Sequence, residues 1–134
     1  MRIAAKPRSG AEGVPHPLYV RRTRKKGAKN PPDVIYCGRP THRGNPFSWK
    51  TFGIARSVSL YEEWVDGKLG ALALEHLGFD PAEIDALARM RARLLAELPR
   101  LRGQRLGCWC AENARFCHVK SVLIPRANAP EVSQ

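Results

Sequence analysis

The chain has 134 residues, 43% of them hydrophobic and 26% charged. That is enough apolar material for one modest core, and the pattern excludes a disordered, collagen-like or coiled-coil chain. Lys and Arg number 23 against 12 Asp and Glu, a formal net charge of +11 that makes nucleic acid or an anionic surface the first partner to consider.

Residues 1–16 contain Pro7, Gly10, Gly13 and Pro15 and no periodic apolar face, so they read as a basic, flexible arm. The first ten lack the apolar stretch of a secretory signal, and no apolar run is long enough to span a bilayer. A cytoplasmic chain without membrane contact is the expectation, with Cys37, Cys108, Cys110 and Cys117 as free thiols in a reducing compartment. Most of the excess charge is N-terminal: residues 1–33 hold nine Lys or Arg against Glu12 and Asp33. It peaks at Arg21, Arg22, Arg24, Lys25, Lys26 and Lys29, a stretch that would attract phosphates in a salt-dependent way.

Residues 17–125 read as a single globular domain. Leu18, Tyr19 and Val20 predict a short strand within 17–22, and Val34, Ile35, Tyr36 and Cys37 a second within 33–38. A long loop follows over 38–53, with 48–56 as loop or short strand. Ser59 stands three residues before Glu62, so a helix is expected to begin near Ser57 or Ser59 and to bury Leu60, Trp64 and Val65. Gly67, Gly70 and Gly78 allow a second short helix within 66–79. Asp80, Pro81 and Glu83 form an N-terminal helix signature, and the helix over 81–98 carries Ile84, Leu87, Met90, Leu94, Leu95 and Leu98 on one side. Pro99 or Gly103 ends it. A third strand is expected within 104–110 and a short helix over 119–124, stopped by Pro125, with 126–134 as a loose tail. The fold class is α/β or α+β, a small sheet flanked by about three helices.

Two constellations could carry chemistry. The first runs from Tyr36 to Phe47 and holds Gly38, Arg39, His42, Arg43, Gly44 and Asn45 just after a strand. Glycines admit close backbone approach and guanidinium forks suit phosphate or carboxylate. The same residues also suit a turn whose arginines are merely solvated. The second is Leu106-Gly107-Cys108-Trp109-Cys110 with Cys117-His118. Cys108, Cys110, Cys117 and His118 supply the ligand types of a zinc site, and on a strand Cys108 and Cys110 would share a face. A thiol nucleophile is the other functional reading: Cys117, or Cys108, stabilised at a helix start, with His118 or His42 as base. Plain burial of small residues is the third. Phe47, Trp49 and Phe52 offer either base stacking or core.

Together, Gly38-Arg39-Pro40, Gly44-Asn45-Pro46-Phe47 and the closing Cys-Trp-Cys with Cys117-His118 resemble domain-of-unknown-function family 4326, over residues 17–125. Three features depart from that family's pattern. Ala111-Glu112-Asn113 stands where members often carry a Pro, the gap to Cys117 is longer, and Val119-Lys120 replaces a frequent Gly-Asp pair. The resemblance implies that Arg39, Asn45, Cys108, Cys110, Cys117 and His118 form one site, without choosing between a thiol, a metal and a bound ligand. It also implies a bacteriophage or prophage setting, which directs attention to nucleotides and nucleic acid as ligands.

The expectation is thus a small domain that binds, and processes, a phosphorylated ligand, either a nucleotide or a nucleic acid. Arg39, Arg43, Gly38 and Gly44 would hold the phosphate and Asn45 would orient the ligand. A non-enzymatic, basic nucleic-acid-binding module with a structural Cys/His cluster, zinc-bound or not, is the alternative. A protein that blocks a host factor is the third.

Overall fold

Three short strands form: β1 (Tyr19–Arg21) and β2 (Ile35–Tyr36), built on β-branched and aromatic residues, and β3 (Leu106–Cys108). The computed structural model describes residues 16–23 and 31–130. The strands form one parallel sheet in the order β1-β3-β2, with Tyr19 and Ile35 both in register with Leu106. β3 is wholly buried at the centre, and Gly107 is what lets it fit. A Cβ there would lie 2.7 Å from the Val20 carbonyl oxygen and 2.9 Å from a Val34 methyl.

Between β2 and β3 the chain forms α1 (Trp49–Phe52), α2 (Ile54–Val65), α3 (Ala71–His76) and α4 (Pro81–Leu101). After β3 come a π-helical segment, Val119–Leu123, and α5 (Ile124–Ala127). Three parallel strands with helices make this an α/β domain. Phe47, Tyr61, Trp64, Leu94, Leu101, Leu106, Leu123 and Ile124 are its largest fully buried apolar side chains. Phe47 meets Phe52, Trp64 and Phe79 edge to face, with centroids 5.8–6.2 Å apart.

Several boundaries differ from the sequence reading. Residues 48–56 are neither loop nor strand. Ser48 caps α1, accepting from the Lys50 N–H at 3.2 Å, and Gly53 at φ +85° lets α2 begin at once. Helix α2 therefore starts at Ile54, not at Ser57 or Ser59. Ser57 is a buried position within it, its hydroxyl donating to the Phe47 carbonyl. The box at Asp80 does form: the Glu83 N–H donates to the Asp80 carboxylate at 2.8 Å and the Asp80 N–H to Glu83 at 2.9 Å. Helix α4 runs through Pro99 to Leu101. Pro99 gives up one backbone N–H within the last turn, and the helix nonetheless continues to the fully buried Leu101. Leu95, placed on the apolar stripe, is 36% exposed.

Pro125 does not stop the last helix. It is the second residue of α5, which continues without a break from a π-helical rather than α-helical segment. Residues 126–130 are likewise not a loose tail. Arg126 bonds Asp66 through both Nε and Nη2 at 2.8 Å and reaches Glu62 at 2.9 Å, while the Ala129 carbonyl accepts from Arg102. The arm over 1–15 and residues 131–134 lie outside the described residues. No helix among the described residues is long and apolar enough to cross a membrane.

Candidate functional site

In parallel strands the carboxyl ends all point to one edge of the sheet. Here that edge carries Arg22 after β1, Cys37 and Gly38 after β2, and Trp109 and Cys110 after β3. The two motifs, some seventy residues apart in sequence, therefore meet. Between them lies an open cavity of about 720 Å³. Gly38, Arg39 and Asn45 border it from the first motif, and Cys108, Cys110, Cys117 and His118 from the second. Tyr36, Phe47, Trp49, Trp109 and Phe116 add aromatic surface, with Ile54 and Arg115 beside them.

The first loop is folded by its own polar groups. The Gly38 carbonyl accepts from the Thr41 hydroxyl at 2.6 Å and the Thr41 N–H at 3.0 Å, and the Tyr36 hydroxyl donates to the Arg39 carbonyl at 2.7 Å. Gly44 must stay small because a Cβ would lie 3.0 Å from the backbone of Gly38 and Arg39. Asn45 is an anchor rather than a ligand-orienting group. Its Oδ1 accepts from the Phe47 N–H at 2.9 Å, and its Nδ2 donates to the Ser57 carbonyl and hydroxyl at 3.1 and 2.9 Å.

His42 and Arg43 do not border the cavity. Both are held by Glu97 of α4: His42 Nε2 donates at 2.7 Å, and Arg43 Nη1 lies 3.1 Å from each carboxylate oxygen. Arg43 Nε also donates to the Tyr36 carbonyl. Burial opposes ionisation of Glu97, but these bonds outweigh it and hold the carboxyl below its ordinary range. Arg39 is different. It is exposed, its Nε donates to the Asn45 carbonyl at 2.9 Å, and its terminal nitrogens have no hydrogen-bond partner among the described residues.

The Cys108, Cys110 and Cys117 sulfurs lie within 4.8 Å of one another, Cys108 and Cys117 at 3.6 Å. The Tyr19 hydroxyl joins them, 3.2 Å from the Cys108 sulfur and donating to the Cys110 carbonyl at 2.6 Å. Three thiols so close cannot all ionise without a cation. Donation from Cys110 and Cys117 pulls the Cys108 thiol far down, and the same bonds push Cys110 and Cys117 up. Cys117, read as the first-choice nucleophile, is buried, and its sulfur lies 3.6 Å from that of Cys108, where either thiol can donate to the other. The fourth cysteine, Cys37, lies apart, and burial pushes its thiol up to about 12.

His118 is not part of the sulfur group. Its Nε2 lies 2.8 Å from the Cys37 carbonyl and 3.2 Å from that of Arg43. Carbonyls only accept, so Nε2 carries the proton and the lone pair is on Nδ1. Burial lowers its pKa, which keeps the ring neutral. Two carbonyls and an edge-to-face contact with Tyr61 orient this imidazole, so no acid at position 120 is needed for that. Position 120 instead holds a fully buried lysine whose ammonium donates to the Glu112 carbonyl.

Of the basic stretch, Arg24, Lys25, Lys26 and Lys29 lie outside the described residues. Arg21 is exposed. Arg22 lies 5.0 Å from the Tyr36 ring centroid and 5.6 Å from that of Trp109. The Trp109 indole N–H donates to the Tyr36 hydroxyl at 3.0 Å, so Tyr36 and Trp109 form one braced wall of the cavity, with Arg22 packed against it. The sequence reading missed Tyr36, Trp109, Arg115 and Phe116 as lining residues. The usable signal was adjacency to the motif residues at strand ends. Nothing local marks Tyr19, Glu97 or Lys120, which act across long sequence separations.

A family model described as "Domain of unknown function (DUF4326)" matches residues 20–128. No curated protein and no solved structure matches the chain.

Proposed function

The chain belongs to this domain-of-unknown-function family, whose description names no activity, and from the cavity itself we propose that it binds a phosphorylated ligand of the nucleotide class. The observation that carries this reading is the pairing of planar aromatic faces with the terminal nitrogens of Arg39, which have no hydrogen-bond partner among the described residues, in one ligand-sized cavity at the carboxyl edge of a parallel sheet. Trp49 and Trp109 are 58% and 37% exposed, which suits stacking on a base. Arg39, with Arg115 nearby, suits the phosphate. The cysteine cluster borders the same space and is where a chemical step on the bound ligand would occur.

The test is titration of the full chain with the four common nucleoside 5′-monophosphates, read by tryptophan fluorescence and calorimetry. Arg39→Ala is expected to weaken binding by about tenfold, the worth of one charge-assisted hydrogen bond. Trp109→Ala is expected to do the same by removing a stacking face. Failure of all four nucleotides to bind at low salt overturns the proposal.

A second reading, a non-enzymatic nucleic-acid-binding module, draws support from Arg22. Its guanidinium packs against Tyr36 and Trp109 of the cavity wall. Under that reading a single-stranded oligonucleotide binds with a steep salt dependence that survives Cys108→Ser. A mononucleotide ligand gives a shallow one.

A further inference from the structure

We propose that Cys108, Cys110 and Cys117 bind one thiophilic divalent cation of the zinc class, with its fourth coordination position open to the cavity. This deepens the function proposed above by assigning the chemistry of the same site, and it rests on that reading only for what occupies the fourth position.

The first observation is spacing. A tetrahedral zinc centre with Zn–S bonds of about 2.3 Å sets its sulfurs about 3.8 Å apart. Cys108 and Cys117 stand 3.6 Å apart, and all three sulfurs fall within 4.8 Å, so closing on an ion takes only small side-chain movements. Cys108 and Cys110 flank Trp109 at the end of β3, and Cys117 immediately precedes His118 and the π-helical segment. Strand and helix thus hold the donors from two sides.

The second observation is charge. Lys120 is wholly buried, and no carboxylate pairs with it among the described residues. Its ammonium donates to the Glu112 carbonyl and lies 5.5 Å from the Tyr19 ring centroid, and Tyr19 in turn touches the Cys108 sulfur. A buried ammonium requires a nearby anion. A divalent ion with three thiolates carries one net negative charge, which this lysine balances.

The third observation is the missing fourth donor. Among the described residues no other metal-ligating atom, His118 Nδ1 included, falls within 4.8 Å of all three sulfurs. All three cysteines border the cavity. The remaining coordination position therefore falls to solvent or to a heteroatom of a cavity ligand, the arrangement of a catalytic rather than a closed structural site.

Metal content of the desalted full chain, followed by cobalt(II) substitution, tests this. One zinc per chain is expected. The cobalt form should show thiolate-to-metal charge transfer in the near ultraviolet and tetrahedral bands in the visible. Adding 2-mercaptoethanol should raise the charge-transfer band by about one third as a fourth thiolate enters the open position. Cys110→Ser should weaken cobalt binding at least tenfold, and His118→Gln should leave the cobalt spectrum unchanged, with circular dichroism checking each fold. A wild-type chain that holds neither zinc nor cobalt overturns the proposal. So does a cobalt spectrum that ignores mercaptoethanol, because that site is closed. Metal binding with no spectral response to any nucleoside monophosphate leaves the centre standing and counts against the nucleotide reading instead.

Discussion

Replacing Asn45 with Ala separates an anchor from a ligand contact. The side chain makes three hydrogen bonds that tie the first loop to α2: one accepted from the Phe47 N–H and two donated to Ser57. At about 1 kcal/mol net for each, the change costs about 3 kcal/mol. The Phe47 amide contributes most of the loss, since Phe47 is fully buried among Phe52, Trp64 and Phe79 and its N–H is left without this acceptor. The Ser57 hydroxyl suffers less because it still donates to the Phe47 carbonyl. With a urea m-value of about 1.5 kcal/mol/M, the unfolding midpoint falls by roughly 2 M. The assay is equilibrium urea unfolding followed by tryptophan fluorescence and by circular dichroism together. Asn45→Asp keeps the acceptor for Phe47 but loses both donors and points a carboxylate at the Ser57 carbonyl, so it should be destabilising too. A midpoint within the error of wild type for Asn45→Ala refutes the anchoring argument. If such a stable variant also lost nucleotide binding, Asn45 would be a ligand contact.

Other perturbations follow from the same geometry. Gly107→Ala places a methyl group 2.7 Å from the Val20 carbonyl oxygen at the centre of the sheet, and a loss of about 3 kcal/mol is expected in the same urea assay. Hydrogen bonds from Arg126 hold the Asp66 carboxyl below its ordinary range, and bonds from Arg43 and His42 do so for Glu97 against the cost of burial. Their stabilisation is complete above the unfolded carboxylate range near pH 4 and is lost as pH falls through the lower folded values, where the unfolded chain binds more protons. Melting temperature should therefore drop steeply below about pH 4, and Glu97→Gln should lower stability at pH 7 by about 1–2 kcal/mol while flattening part of that drop. Cys37, fully buried and with its thiol raised to about 12, should stay unmodified by iodoacetamide in native buffer and react only on unfolding, as read by peptide mapping.

Much of the local structure was legible in the sequence because its causes are local. The strand at Tyr19, the strand at Ile35 and the capping box at Asp80 each depend on a few neighbouring residues, and each forms. The start of α2 was misplaced because Ser59 and Glu62 mimic a cap, whereas Gly53 at positive φ and Ser48 make the real junction. The extension of α4 through Pro99 to the buried Leu101, and the π-helical turn that leads directly into Pro125, are not visible from the prolines alone.

The motif residues themselves were visible in residue type and spacing, and the prospect that they share a site came from the family resemblance. Their division of labour was decided only by the fold. Parallel strands bring Cys108 and Cys110 beside Gly38 and Arg39, but Glu97 draws His42 and Arg43 away and Ser57 claims Asn45. His118 sits next to Cys117 in sequence, yet its ring is bonded to carbonyls from the other motif. Hydrogen bonds and buried charges are satisfied by whatever stands within about 3 Å, regardless of separation along the chain. Which polar groups remain available to a ligand is therefore a property of the packed structure, and among the described residues bordering the cavity they include Arg39 and the three clustered thiols.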